Sequence, residues 1–111
     1  MSEVYGFDAD PEAGPGDFMA YTVDHLFGDV WSRPGIDLAG RRLLTIGALA
    51  AQGLPDLLGV QFDAALANGE MDEKTVREVV IHLAHYVGWP LAAVANNAAE
   101  AAISRRKGER P

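Results

Sequence analysis

The chain contains no cysteine. Disulfides, thiolate metal ligands and every thiol-based redox mechanism are therefore excluded. Long apolar runs are missing too. Each hydrophobic stretch is interrupted by Gly, Arg or His, well short of the roughly 18 residues that a membrane-spanning helix needs. Basic residues are scarce, with 9 Lys and Arg against 16 Asp and Glu and a formal net charge of −7. An acidic body repels phosphate backbones, so no nucleic acid partner is expected. Met1–Ala13 is acidic and has no apolar segment, so neither a signal peptide nor a membrane partner is expected, and the expected location is cytoplasmic. Strand-type alternation, internal repeats and low-complexity tracts are absent as well.

What is present reads as one helical domain. Hydrophobic residues make up 49% of the 111 positions and charged residues 23%, a globular balance that excludes wholesale disorder. Residues 1–16 carry Pro11, Pro15 and three glycines and read as an extended arm. A single domain is expected over residues 17–104. Residues 105–111, with Arg105, Arg106, Lys107 and Arg110, read as a basic, solvated tail. The first thirty residues are acidic throughout, with no Lys or Arg.

Cap and breaker residues divide the domain. Asp17 is positioned to cap a first helix carrying Phe18, Tyr21, Leu26 and Phe27 towards a core. Trp31-Ser32-Arg33-Pro34-Gly35 must turn the chain. Asp37 caps a second helix, about Leu38–Ala51, with Leu43, Leu44, Ile46, Ala50 and Ala51 apolar and Arg41 and Arg42 elsewhere on the wheel. Gly53 stops it, and Pro55 opens a third helix that runs to about Ala67. After Asn68-Gly69, Asp72 caps Glu73–Val87, where Val76, Val79, Val80, Leu83 and Val87 form one stripe. Gly88 ends that helix. Pro90 begins a last one, about Leu91–Ile103, with Ala92, Ala95, Ala99 and Ala102 on adjoining turns. The sum is an all-α bundle of five to six helices. An Ala-rich face buries little area, and a chain this short often completes its core by association, so a homo-oligomer is expected.

One constellation has the form of a proton-transfer site. Glu78, His82 and Tyr86 follow one another at i, i+4 spacing, so they stack along one side of the fourth helix. A carboxylate one turn before a histidine fixes its tautomer and raises its basicity. His85 lies three residues beyond His82 and one turn before Trp89. Arg33 and Arg41 are the candidates to grip a carboxylate, because guanidinium offers two parallel donors. Glu78 and His82 with His25 or His85 also invite a metal reading. No His-Glu-x-x-His pattern or second paired motif supports it, so no metal is expected. Trp31, Trp89, Phe62 and Tyr86 read as core or interface aromatics.

Two stretches resemble the gamma-carboxymuconolactone decarboxylases. The first is Gly28-Asp29-Val30-Trp31-Ser32-Arg33-Pro34-Gly35, followed by Arg41 and Leu43-Leu44-Thr45-Ile46. The second joins Ala64-Ala65-Leu66-Ala67-Asn68-Gly69 to the run Glu78–Pro90, which holds an Ile-His-x-x-x-Tyr-x-Gly-x-Pro pattern. The similarity runs from about Phe18 to Ile103. The wider AhpD-like superfamily includes thiol peroxidases with a Cys-x-x-Cys pair, which this chain lacks.

The resemblance implies a helical bundle that forms homotrimers or homohexamers with sites near subunit interfaces. It also implies a cofactor-free lyase of aromatic-compound catabolism that decarboxylates a carboxylated unsaturated lactone. By matching positions, His82 is the proton donor and Glu78 its partner. Arg33 and Arg41 hold carboxylates, while Tyr86, Trp31, Gln61 and His85 shape the substrate site. The chain departs from the family pattern at Gln61, where a histidine is usual. Gln exchanges no proton near neutral pH. Leu54 and Leu57 also stand where charged residues are common. A related small organic acid is therefore a second candidate substrate. A non-catalytic homo-oligomeric module that binds a small molecule or a protein partner is the alternative reading.

Overall fold

The computed structural model describes residues 16–108. The expected extended arm falls almost entirely outside the described residues, as do the last three positions of the chain. Five α-helices follow in order: α1 (Gly16–Tyr21), α2 (Leu38–Gln52), α3 (Pro55–Ala67), α4 (Glu73–Val87) and α5 (Trp89–Gly108). A π-helical segment, Thr22–Val30, continues directly from α1. No strand occurs among the described residues, and none of the described helices is long and apolar enough to cross a membrane.

Local chemistry sets most boundaries. The Asp37 carboxylate accepts from Gly40 N at 2.7 Å, and the Asp72 carboxylate accepts from Thr75 N at 2.8 Å. Each satisfies a backbone donor that the first turn of its helix leaves open. Gly53 ends α2 in the left-handed region at φ 67°, where a side chain is strained. A Cβ there would also stand 3.0 Å from Leu91 Cδ2. Pro55 takes the first turn of α3, where its missing N–H is not needed.

The core gathers on α5. Ala95, Ala99 and Ala102 are wholly buried, which lets α3 and α4 pack closely on either side of them. Ile46 and Ala50 from α2, Leu58 and Phe62 from α3, and Val76 and Val80 from α4 complete the cluster.

Three expectations are corrected. Only Phe27 of the four expected core residues of the first helical stretch is buried, while Phe18 and Tyr21 are 83% and 72% exposed. Among the described residues the main neighbour of α1 is its own π continuation. Asp17 lies within the first turn of α1 rather than capping it. The residues expected as the start of a solvated tail are helical through Gly108. Arg105 reaches Asp63 at 3.1 Å and Lys107 reaches Glu73 at 3.2 Å, and these pairs hold the end of α5 to α3 and α4.

A second charged contact joins α4 to α5. Arg77 donates to both oxygens of Glu100, at 2.9 and 3.0 Å, and also to Glu73 at 3.1 Å. Hydrogen bonds from Arg77 hold the Glu100 carboxyl below the usual carboxylate range. Lys107 is the chief cause of a lowering at Glu73. Both carboxyls bind protons more weakly folded than unfolded. The unfolded chain therefore takes up more protons as acid is added, and the stabilisation is present above the unfolded pKa of about 4.3. It is lost as pH falls through the lower folded values. Arg77→Gln should lower Tm at pH 7 and low salt. Calorimetry should find the gap from wild type closing as pH falls to about 3 and shrinking in 1 M salt.

Candidate active site

Helix α2 presents two faces. Arg42, Ile46 and Ala50, four residues apart, point into the core and are each wholly buried. Gly40, Leu43, Leu44, Gly47 and Ala48 turn towards α4. Helix α4 divides in the same way. Val76, Val80 and Ala84 face the core, while Thr75, Glu78, Val79, His82 and Leu83 face α2. Between the two helices lies a groove of about 780 Å³, which Ile36 also lines.

Glu78 and His82 are the only ionisable side chains among the described residues that line this groove. They are neighbours one helical turn apart. Tyr86, one turn further on, stacks its ring on the His82 imidazole at 5.0 Å between centroids and 29° between planes. His85 faces another way: its Nδ1 lies 2.8 Å from the Ile81 carbonyl oxygen, and Trp89 meets its ring edge-on at 6.0 Å. The structure thus brings Glu78, His82 and Tyr86 together on one side of α4 and holds His85 apart from the groove lining. No group of three or more His, Asp or Glu among the described residues is placed to hold a metal ion.

Two other sequence candidates, Gln61 and Trp31, meet in a second cluster around Arg42. Gln61 is wholly buried, and its side-chain oxygen accepts from Arg42 Nη1 at 2.6 Å. Arg42 also donates to Glu70 through Nε at 3.0 Å and Nη2 at 3.2 Å. The Arg42 guanidinium carbon lies 5.4 Å from the Trp31 ring centroid, a cation–π distance. Arg41 Nη2 donates to the Arg33 carbonyl at 3.0 Å and so pins the Trp31–Gly35 turn to α2. The Arg33 side chain is exposed. Neither Arg33, Arg41, Trp31 nor Gln61 is among the residues that line the groove.

Sequence reasoning missed Arg42, Glu70 and the groove glycines. The signal was present: Arg42 continues the Ile46 and Ala50 stripe backwards by one turn, and Gly40 and Gly47 repeat at two turns on the neighbouring face.

The family model for the carboxymuconolactone decarboxylase family matches residues 16–101. The chain belongs to the carboxymuconolactone decarboxylase family. It is 34% identical over 84 residues to the 4-carboxymuconolactone decarboxylase of Acinetobacter baylyi, an overlap of 76% of this chain and 62% of that one. It is 37% identical over 83 residues to the nitrosuccinic acid decarboxylase of Metarhizium robertsii, covering 75% of this chain and 56% of the relative. The chain therefore spans about 60% of the length of these curated relatives.

The buried guanidinium yields a stability prediction. Arg42→Ala leaves the Glu70 carboxylate, whose side chain is 7% exposed, without its bidentate partner. Breaking such a pair costs about 3–5 kcal/mol, a large part of the roughly 5–15 kcal/mol that holds a small domain folded. Arg33→Ala should stay within about 0.5 kcal/mol of wild type, because its side chain is exposed. Urea denaturation of the two variants should separate them by that margin.

Proposed function

We propose that the chain is a carbon–carbon lyase that decarboxylates a small organic acid in the groove between α2 and α4. The observation that carries this reading is the acid–imidazole pair Glu78 and His82 in an otherwise apolar groove. Membership of a family whose named relatives are decarboxylases supports it. Loss of carbon dioxide breaks a carbon–carbon bond and leaves the electron pair on the substrate, where a conjugated carbonyl spreads it to oxygen. One proton must then return to carbon. His82 gives that proton, because imidazole exchanges protons near neutral pH. Glu78, one turn before His82, is the carboxylate that lines the groove beside it. Tyr86, stacked on the imidazole, limits the ring's rotation. Once further copies cover the groove, its apolar walls exclude water, so each charge within them acts more strongly than it would in bulk solvent. The reaction so written uses no cofactor. The substrate we favour is a carboxylated unsaturated lactone or a related small acid.

His82 is exposed on the single chain, so His82→Gln should fold as wild type does. Its turnover of 4-carboxymuconolactone, followed by loss of the lactone absorbance, should fall by about 10²–10⁴-fold. Unchanged turnover in that variant would remove His82 from the mechanism.

Self-association belongs to the same reading. Leu44, Ile81, Tyr86 and Trp89 are 64%, 54%, 78% and 69% exposed around the groove and its end. Phe18 and Tyr21 add a second uncovered apolar surface on α1. Apolar surface in contiguous patches of this kind is normally covered by a partner. A homotrimer or homohexamer is the proposed assembly. Light scattering at micromolar concentration should give three or six times the monomer mass, and a clean monomer would refute the proposal.

A further inference from the structure

A pocket of about 370 Å³ lies where the first turn of α4 meets the end of α5. Leu66, Met71 and Ile103 give it an apolar floor, and Lys74, Arg106 and Lys107 stand around it with Asp72 and Glu73. Both carboxylates are already engaged. Asp72 accepts from Thr75 N at 2.8 Å, and Glu73 holds Lys107 at 3.2 Å and Arg77 at 3.1 Å. Lys74 and Arg106 are exposed and make no ion pair among the described residues. The pocket thus sets an apolar floor beside two cations that nothing described in the same copy neutralises.

The opposite pattern stands on α1 and its π continuation. Asp17, Tyr21, Asp24 and Asp29 share one face of that stretch, with Ala20 and His25 among them. His25 lies 3.9 Å from Asp29. Asp17 stands four residues before Tyr21 and Asp24 three after it, and all three side chains are exposed. The stretch carries no Lys or Arg of its own. A phenol flanked by carboxylates is the complement, in polarity and in sign, of an apolar floor flanked by cations. In one copy α1 packs chiefly on its own π continuation, so the match is between one copy and the next.

We infer that the pocket between α4 and α5 docks the α1 stretch of a second copy. Tyr21 seats on Leu66, Met71 and Ile103, while Asp17 and Asp24 pair with Lys74 and Arg106. The inference rests on the self-association reading and is independent of the lyase reading. Each copy gives one α1 stretch and receives another. Such a contact runs head to tail, and it builds a ring where the rotation between copies closes. Pairing α1 against α1 would instead set carboxylates against carboxylates. The buried aromatic ring supplies most of the affinity, and the ion pairs at its rim fix partner and register.

The test uses the full chain, with mass and dissociation constant followed by sedimentation across a dilution series. Arg106→Glu on α5, Lys74→Glu on α4 and Asp24→Lys on the π segment alter exposed side chains, so circular dichroism should find wild-type helix content in each. Each should weaken association by about tenfold or more. Asp24→Lys lowers the net negative charge of the chain and Arg106→Glu raises it, so a loss in both marks a local contact rather than general repulsion. The double variant Asp24→Lys with Arg106→Glu exchanges the signs across the contact and should recover most of the wild-type affinity. Tyr21→Ala should also weaken association by about tenfold or more, whereas Tyr21→Phe, which keeps the ring, should not. A wild type that assembles with an affinity unmoved by the three charge reversals overturns the inference and leaves self-association standing. A double variant weaker than either single variant overturns the pairing. A wild type that stays monomeric at micromolar concentration overturns the self-association reading, and this inference with it.

Discussion

A guanidinium buried among four chain segments sets the rotation of α2. Arg42 meets Glu70 from the connection before α4, Gln61 from α3, and the Trp31 ring from the turn before α2. A buried charge cannot be left unpaired without a cost of several kcal/mol. Only one rotation of α2 about its axis satisfies this arginine. That rotation puts Ile46 and Ala50 into the core and turns the neighbouring face, with Gly40, Leu43 and Gly47, towards α4. The groove is thus a consequence of where Arg42 is tied. The Arg41 bond to the Arg33 carbonyl fixes the approach to α2 from the other side of the same turn.

Small residues on α5 do the complementary work. Because Ala95, Ala99 and Ala102 present only methyl groups, α4 seats its Val76 and Val80 directly on them. The adjoining stripe of α4 then carries Glu78 and His82 along the groove. Core and site therefore share one helix, with Glu78 and His82 about half a turn round from Val80. Apolar walls around a single acid–imidazole pair suit a reaction in which charge shifts from carboxylate to carbon and oxygen without leaving the substrate. Pre-placed donors in such a setting need no reorganisation when the charge moves.

Much of this was legible in the sequence because it depends on local chemistry. Asp37 and Asp72 announced two helix starts, Gly53 and Gly88 two ends, and Pro55 the beginning of α3. The span Glu73–Val87 follows directly from its cap and its valine stripe. The i, i+4 spacing of Glu78, His82 and Tyr86 placed them side by side, and the structure adds the groove that the first two line. The hidden features are those that depend on distant partners. An arginine in a single sequence reads as a surface residue until Glu70 and Gln61, 28 and 19 positions away, are brought to it. Gln61 looked like an altered site residue for the same reason, since its burial against Arg42 exists only in three dimensions. The helical extension to Gly108 likewise depends on Asp63 and Glu73 meeting Arg105 and Lys107. The exposure of Phe18 and Tyr21 depends on what packs over α1 from elsewhere, which no local pattern reports.

The central claim is that one imidazole on α4 returns the proton to a substrate held on one side in the groove. The most direct measurement is decarboxylation of the carboxylated lactone in deuterium oxide, with the product analysed by NMR for the face on which deuterium enters. A positioned donor delivers it to a single face of the accepting carbon, and wild-type product should carry one stereochemical label. Equal labelling of both faces would mean that bulk water protonates a released intermediate. That result would contradict a proton-donor role for His82 and a substrate-orienting role for the groove.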